Sequence, residues 1–227
     1  MRPKNLVIDC DDTLWENNRY FLEAHSKFVE LMGSLGYDPA EADELLLRLE
    51  MENVPRYGYG AKSQAMSMAD VYMILEPRPD EGALRAIEAM GEEVFNHPLT
   101  LMPGVEETLP RLSERYRLAL YTKGNPDEQM GKLVRSPFKD CFHHVRVVPE
   151  KDRETFGSVL SELNFSPDET WMIGDSPRSD IMPAIAHGVR SVYIPCPTTW
   201  VHEHRALPPS ERIITLERFD RLAGLLL

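Results

Sequence analysis

The stretch Asn5-Leu6-Val7-Ile8-Asp9-Cys10-Asp11-Asp12-Thr13 decides the fold. Leu6-Val7-Ile8 is an apolar run short enough for a buried strand, and the strand is read as Leu6–Asp9. It ends on three carboxylates within four residues. Such a cluster repels itself, and no apolar core stabilises it. Its usual use at a strand end is to hold a divalent cation and to aim an oxygen nucleophile at an anionic group.

Working outward, the chain shows two textures. Beyond residue 99, short β-rich runs alternate with helical stretches. Strands are expected at Arg117–Thr122, His144–Val148, Thr170–Asp175, Ser191–Pro195 and Arg212–Thr215. Helices are expected at Gly104–Tyr116, Pro126–Arg135, Arg153–Leu163, Ser179–His187 and Leu216–Leu226. This alternation predicts an α/β fold, a parallel sheet covered on both faces. Residues 15–98 contain helical patterns and no convincing strand. Phe21, Ala24, Phe28, Leu31 and Leu35 recur at helical spacing before Gly36. Asp38-Pro39 opens a helix over Ala40–Asn53, with further helices at Ser63–Leu75 and Asp80–Asn96. The run Pro55-Arg56-Tyr57-Gly58-Tyr59-Gly60-Ala61-Lys62 reads as a loop between them. The expected organisation is a core of residues 1–14 and 99–227 with an inserted all-helical unit of 15–98.

Composition narrows the function classes. The 227 residues carry a formal net charge of −12. Residues 15–98 hold 16 acidic and 7 basic side chains, and the remainder holds 21 and 18. Such a chain lacks the positive field needed to displace counterions from duplex nucleic acid or to dock on anionic membrane. No segment reads as a signal peptide or membrane span. Cys10, Cys141 and Cys196 are an odd number without metal-ligand spacing, which fits a reduced cytoplasm. Nothing specifies an oligomeric state. A small phosphorylated substrate is compatible with all of this, since a site needs only local positive charge.

Ligands of open α/β sheets bind beyond the carboxyl ends of the strands. The groups predicted there are Asp9 and Asp11, Thr122, Lys151 and Asp175, with Asp180 five residues on. Together they suit phosphoryl transfer. Asp9 would attack phosphorus, giving an aspartyl-phosphate. Asp11 would give a proton to the leaving oxygen and take one from the water that follows. Thr122 and Lys151 would hold phosphoryl oxygens. Asp9 and Asp175 would bind Mg²⁺ with Asp180 fixing its waters. Gly124-Asn125-Pro126 opens a helix whose free N–H groups could face the phosphate, beside the extra cation Lys123.

The ordered set resembles the haloacid-dehalogenase superfamily, phosphatase branch, with a helical cap inserted after the first motif. Asp9-Cys10-Asp11-Asp12-Thr13 matches DxDxT, Thr122 the second motif, Lys151 the third, and Gly174-Asp175-Ser176-Pro177-Arg178-Ser179-Asp180 the fourth, GDSxxxD. The resemblance implies a Rossmann-like core, a Mg²⁺ cofactor and hydrolysis of small phosphate esters. It also implies that Asp11 joins the metal ligands through its main-chain carbonyl. The 113 residues from Asp9 to Thr122 leave room for a cap, whereas the 29 from Thr122 to Lys151 leave none for the alternative cap after the third strand. The third motif lacks the Pro that often follows its Lys.

Arg56, Tyr59 and Lys62 are the cap candidates for substrate contact, alongside Tyr57; packing between helices is the competing role. Asp12 is read as loop support and Trp15 as packing. His202-Glu203-His204, in the Pro-rich stretch Pro195–Pro209, is read as solvated loop chemistry rather than a metal site. Met66, Met68 and Met73 are read as core filling. Two alternatives remain beside the hydrolase: a phosphomutase with the same aspartates, and a regulatory module that binds Mg²⁺ and phosphate without turnover.

Overall fold

The computed structural model describes residues 3–227. Strand β1 (Asn5–Ile8) leads into helices α1 (Asn18–Ser34), α2 (Pro39–Tyr57), α3 (Ala61–Leu75) and α4 (Glu81–Phe95). Then follow α5 (Val105–Ser113), β2 (Arg117–Lys123), α6 (Pro126–Arg135), β3 (His144–Val148), α7 (Arg153–Leu163) and β4 (Thr170–Gly174). The chain closes with α8 (Met182–Ala186), β5 (Arg190–Tyr193), β6 (Ile213–Thr215) and α9 (Leu222–Leu226). All six strands pair in parallel, in the order β3-β2-β1-β4-β5-β6. This is the α/β, Rossmann-like arrangement expected, and the order reverses direction at β1 and β4.

Side-chain alternation explains why both faces of the sheet are covered. Leu6, Ile8, Leu118, Leu120, Trp171 and Ile173 point to one face, where they pack with Leu109 and Leu112 of α5 and Leu222 of α9. Val7, Ala119, Tyr121 and Met172 point to the other, against Phe156 and Leu160 of α7. Strands buried on both faces read as continuous apolar runs, and these do.

Two compact units divide the chain. One runs to Asn18 and resumes at Leu99–Leu227; the other is Arg19–Pro98. The first junction thus falls after Asn18 instead of after residue 14. The reason is local. The carboxylate of Asp12 accepts from the backbone N–H of Asn17 and Asn18, the N–H of Glu16 donates to the carbonyl of Thr100, and Trp15 bridges to Leu101. The second unit is helical throughout its regular structure and has its own apolar core, with Phe28, Met32, Leu46, Met68, Val71 and Ile87 at its centre.

Several local readings need correction. The loop expected over residues 55–62 shrinks to Gly58-Tyr59-Gly60, because α2 continues through Pro55 to Tyr57 and α3 starts at Ala61. Proline costs a helix one hydrogen bond and some crowding, and the buried faces of α2 and α3 override that local signal. Met73 is about half exposed, unlike Met68, so it is not core filling. The helix expected over Ser179–His187 begins instead as a π-helical turn, Pro177–Ile181, followed by α8.

Candidate active site

β1 and β4 are neighbours, with Ile8 registered on Ile173. The residues that follow them, Asp9 and Asp175, therefore emerge side by side. The backbone N–H of Asp9 donates to the carbonyl of Ile173 at 2.9 Å. Thr13 lies one turn of chain beyond Asp9. Its hydroxyl is 3.0 Å from Asp9 Oδ2 and 3.4 Å from Asp175 Oδ1, so it lies between the two carboxylates.

Asp180 is returned to the same point by the π-helical turn. Such turns insert an extra residue and are frequent at functional sites. Asp180 Oδ2 accepts from the N–H of Ser176 at 3.0 Å, and the carboxylate packs on the backbone of Gly174. A Cβ at position 174 would lie 2.2 Å from Asp180 Oδ2. The glycine of the GDSxxxD motif is thus required by close approach. Asp9, Asp175 and Asp180 are all buried, and each offers an oxygen within 4.8 Å of the others.

Lys151, just past β3, is buried with them. Its Nζ donates to Asp9 Oδ1, and to Asp180 Oδ1 at 2.8 Å. The same ammonium lies 4.9 Å from the centre of the Tyr121 ring. One ammonium cannot balance three buried carboxylates. Burial pushes the carboxyl of Asp9 up to about 7, with Asp180 adding to it and Lys151 opposing. Burial and the charges of Asp9 and Asp180 hold Asp175 well above the ordinary range. Burial also raises Asp180 against the pull of Lys151. Lys151 itself stays protonated, because Asp180 and Asp9 outweigh its own desolvation. An all-oxygen, anionic, buried donor set short of positive charge suits a hard divalent cation.

Asp11 is treated differently. Its carboxylate stands outside that trio and receives Lys132 Nζ at 2.9 and 3.0 Å, Gln129 Nε2 at 2.9 Å and Trp15 Nε1 at 2.9 Å. Burial acts to raise its pKa, but Lys132 and these hydrogen bonds prevail and hold it below the ordinary range. Lys132 is almost fully buried and also meets Asn17 Oδ1 and Glu128. Gln129 completes the link: its Oε1 accepts from Thr122 Oγ1 at 3.3 Å and from Cys10 Sγ at 3.7 Å. Neither Gln129 nor Lys132 was singled out in the sequence. The available signal was their spacing of three on α6, one face of a helix opening toward the strand ends.

Asp12, with φ of 59°, turns away to cap the start of α1; burial raises it to about 6. Thr122 is the penultimate residue of β2 and is buried. The groups expected to face phosphate after it are partly occupied. The N–H of Gly124 donates to the carbonyl of Val148, and Asn125 Oδ1 caps α6 by accepting from Asp127 and Glu128. Lys123 pairs with Glu203 and reaches Ser179 Oγ at 3.1 Å. Glu203 is therefore not a solvated loop residue. It is buried, and although burial alone would raise its pKa, Lys123, Ser176 and Ser179 bring it down to about 2. Arg56, Tyr59 and Lys62 belong to the helical unit, where the guanidinium of Arg56 lies 4.7 Å above the Tyr57 ring.

The sequence pattern of the haloacid dehalogenase-like hydrolases matches residues 3–188. The chain belongs to that family and is an enzyme of the hydrolase class. It is 26% identical over 219 residues to a glyceraldehyde 3-phosphate phosphatase of Pyrococcus furiosus, covering 85% of this chain and 80% of the relative. A protein of the same name from Methanopyrus kandleri is 27% identical over 197 residues, covering 84% and 83%. A haloacid dehalogenase-like family hydrolase from Xanthomonas campestris superposes with a TM-score of 0.83 at 29% identity, over 99% of this chain and 92% of that one. A 2-haloacid dehalogenase from Pseudomonas syringae shares the fold, with a TM-score of 0.63 at 19% identity over 100% and 98% of the two chains.

Two measurements check the electrostatics. Lys132→Met leaves the Asp11 carboxylate without its ammonium and is expected to cost about 3 kcal/mol of stability in urea melts. Adding Asp11→Asn should recover most of that loss, a coupling that independent sites would not show. The second concerns pH. In EDTA the native state keeps the Asp9 proton up to about 7, while an unfolded aspartate releases it near about 4. The native state then binds more protons, so unfolding free energy falls as pH rises from about 4 to about 7. Divalent cations should flatten that slope by replacing the proton. Rising stability across this window in EDTA would contradict the crowding described here.

Proposed function

We propose that this enzyme is a Mg²⁺-dependent phosphomonoester hydrolase that works through an aspartyl-phosphate on Asp9. The observation that carries the reading is the buried trio of Asp9, Asp175 and Asp180, two of which share a single lysine. Asp9 and Asp175 would hold the cation, with the main-chain carbonyl of Asp11 as the family pattern implies and Asp180 fixing its waters. Bound there, Mg²⁺ supplies the positive charge that lets a carboxylate approach a phosphate dianion.

The protein's own groups account for the remaining steps. A carboxylate oxygen of Asp9 forms a bond to phosphorus as the bond to the leaving oxygen breaks. Asp11 gives a proton to that oxygen, then removes one from the water that attacks the phosphoryl group. Inorganic phosphate leaves and Asp9 is restored. The ion-paired Asp11 is in the form needed for the second, proton-accepting half. For the first half it must exchange Lys132 for a proton. Lys151 and the Thr122 hydroxyl hold the phosphoryl oxygens, Thr122 exchanging Gln129 for the substrate.

The helical unit is proposed as a cap that sets substrate choice through Arg56, Tyr59 and Lys62. Lys123, Gly124 and Asn125 are the second candidate group. The names of the relatives favour a small, triose-sized phosphate ester. The acidic composition of the helical unit argues against polyanionic partners such as nucleic acid. Among the described residues no helix is long and apolar enough to cross a membrane, and three free cysteines suit the cytoplasm.

Hydrolysis of p-nitrophenyl phosphate and glyceraldehyde 3-phosphate with Mg²⁺ tests this. Asp9→Asn should abolish phosphate release, a loss of at least about a thousandfold. Release from wild type that survives this substitution would defeat the aspartyl-phosphate. Inertness of wild type across a panel of small phosphate esters would defeat the hydrolase.

A further inference from the structure

The residues 198–203, after β5, match none of the four motifs, yet within six positions they make three separate tethers to the site. The carbonyl of Thr198 accepts from the side-chain amide of Asn18, whose N–H is capped by Asp12. The hydroxyl of Thr199 donates to Asp175 Oδ2. Glu203 accepts from the hydroxyls of Ser176 and Ser179 and pairs with Lys123. The segment therefore links the loop after β1, the end of β2 and the π-helical turn after β4.

We infer that residues 198–203 form a strap that positions the metal ligands of the β4 turn, with Thr199 orienting Asp175 and Glu203 fixing the turn that presents Asp180. The inference rests on the Mg²⁺ reading above. Asp175 has its two oxygens held from opposite sides, Oδ1 by Thr13 and Oδ2 by Thr199. That arrangement selects one rotation of the carboxylate. Ser176 and Ser179 flank the turn from which Asp180 projects. Ser176 Oγ both donates to Glu203 and accepts from the N–H of Ser179 at 2.9 Å. A carboxylate is costly to bury, and a buried ion pair stabilises a fold little more than apolar residues in place of the whole pair. The partners of Glu203 are all groups of the site: Lys123, Ser176, Ser179 and, at 3.6 Å, Arg178. Groups that hydrogen-bond metal ligands hold them in the productive orientation, and removing one typically weakens metal binding about ten- to a hundredfold. Thr199 and Glu203 are on this account positioning residues.

Titration calorimetry with Mg²⁺ alone on the full chain, paired with the Mg²⁺-induced rise in melting temperature, tests the strap without reference to turnover. Thr199→Val and Glu203→Gln should each raise the Mg²⁺ dissociation constant about tenfold. Thr199→Ser, which keeps the hydroxyl, should stay within about threefold of wild type. Asp175→Asn should abolish binding. If Glu203→Gln does not fold, Ser176→Ala combined with Ser179→Ala removes the hydroxyl bonds to Glu203 while keeping its pair with Lys123, and is read in the same way. A wild-type titration with either positioning variant within threefold of it overturns the strap and leaves the metal reading standing, even if that variant melts earlier. A wild type that takes up no Mg²⁺ overturns both.

Discussion

Everything at this site follows from placing carboxylates at two adjacent strand ends. β1 and β4 pair in register, so whatever follows them must share one small volume. Aspartate follows both, and the π-helical turn adds a third. Mutual repulsion in a buried pocket costs stability, and the surrounding chain is arranged to contain that cost. Lys151 pairs with Asp9 and Asp180, Thr13 lies between Asp9 and Asp175, and backbone N–H groups from Asp9 and Ser176 pin the loops. The remaining deficit of positive charge makes the pocket chemically suited to a hard cation.

Two aspartates only two residues apart are given opposite environments. Asp9 sits among like charges, and burial drives it toward the neutral form. Asp11 faces α6, where Lys132 and Gln129 hold it anionic. The difference comes from which neighbour each side chain meets. A strand that ends in a tight turn points successive residues in different directions, so a sequence interval of two is enough to give two carboxylates opposite electrostatic surroundings. Gln129 joins the two halves of the site, since the same amide touches Asp11 through nitrogen and Thr122 and Cys10 through oxygen.

The parts of this arrangement carried by strand ends were legible in the sequence. Asp9, Thr122, Lys151 and Asp175 lie at or just past the ends of apolar runs, where a parallel sheet brings such positions together whatever the loops do, and Asp180 was legible through its place in the GDSxxxD motif. Gln129 and Lys132 were only faintly legible, because their spacing of three puts them on one face of α6 but gives no sign of which way that face docks. Glu203 reads as solvated or hinge-like because it lies in a Pro-rich stretch without further ligands at zinc spacing, whereas its burial depends on a distant lysine and two serines. The extent of α2 was misjudged for the converse reason. Pro55 is a strong local signal, and the packing of the flanking helices overrode it.

The hydrogen bond from Glu16 to Thr100 joins the two points where the chain leaves and re-enters the sheet-bearing unit. About 80 residues, Arg19–Pro98, are threaded between points that the β1 loop itself holds together. The entropy of closing such an excursion grows only with the logarithm of its length, about 0.6 kcal/mol for each doubling. Lengthening, shortening or exchanging the intervening helices therefore asks almost nothing of the loop that carries Asp9. This junction allows the sheet-bearing unit and the helical unit to evolve at different rates, one held fixed by crowded charges and the other attached through a seam indifferent to what it encloses.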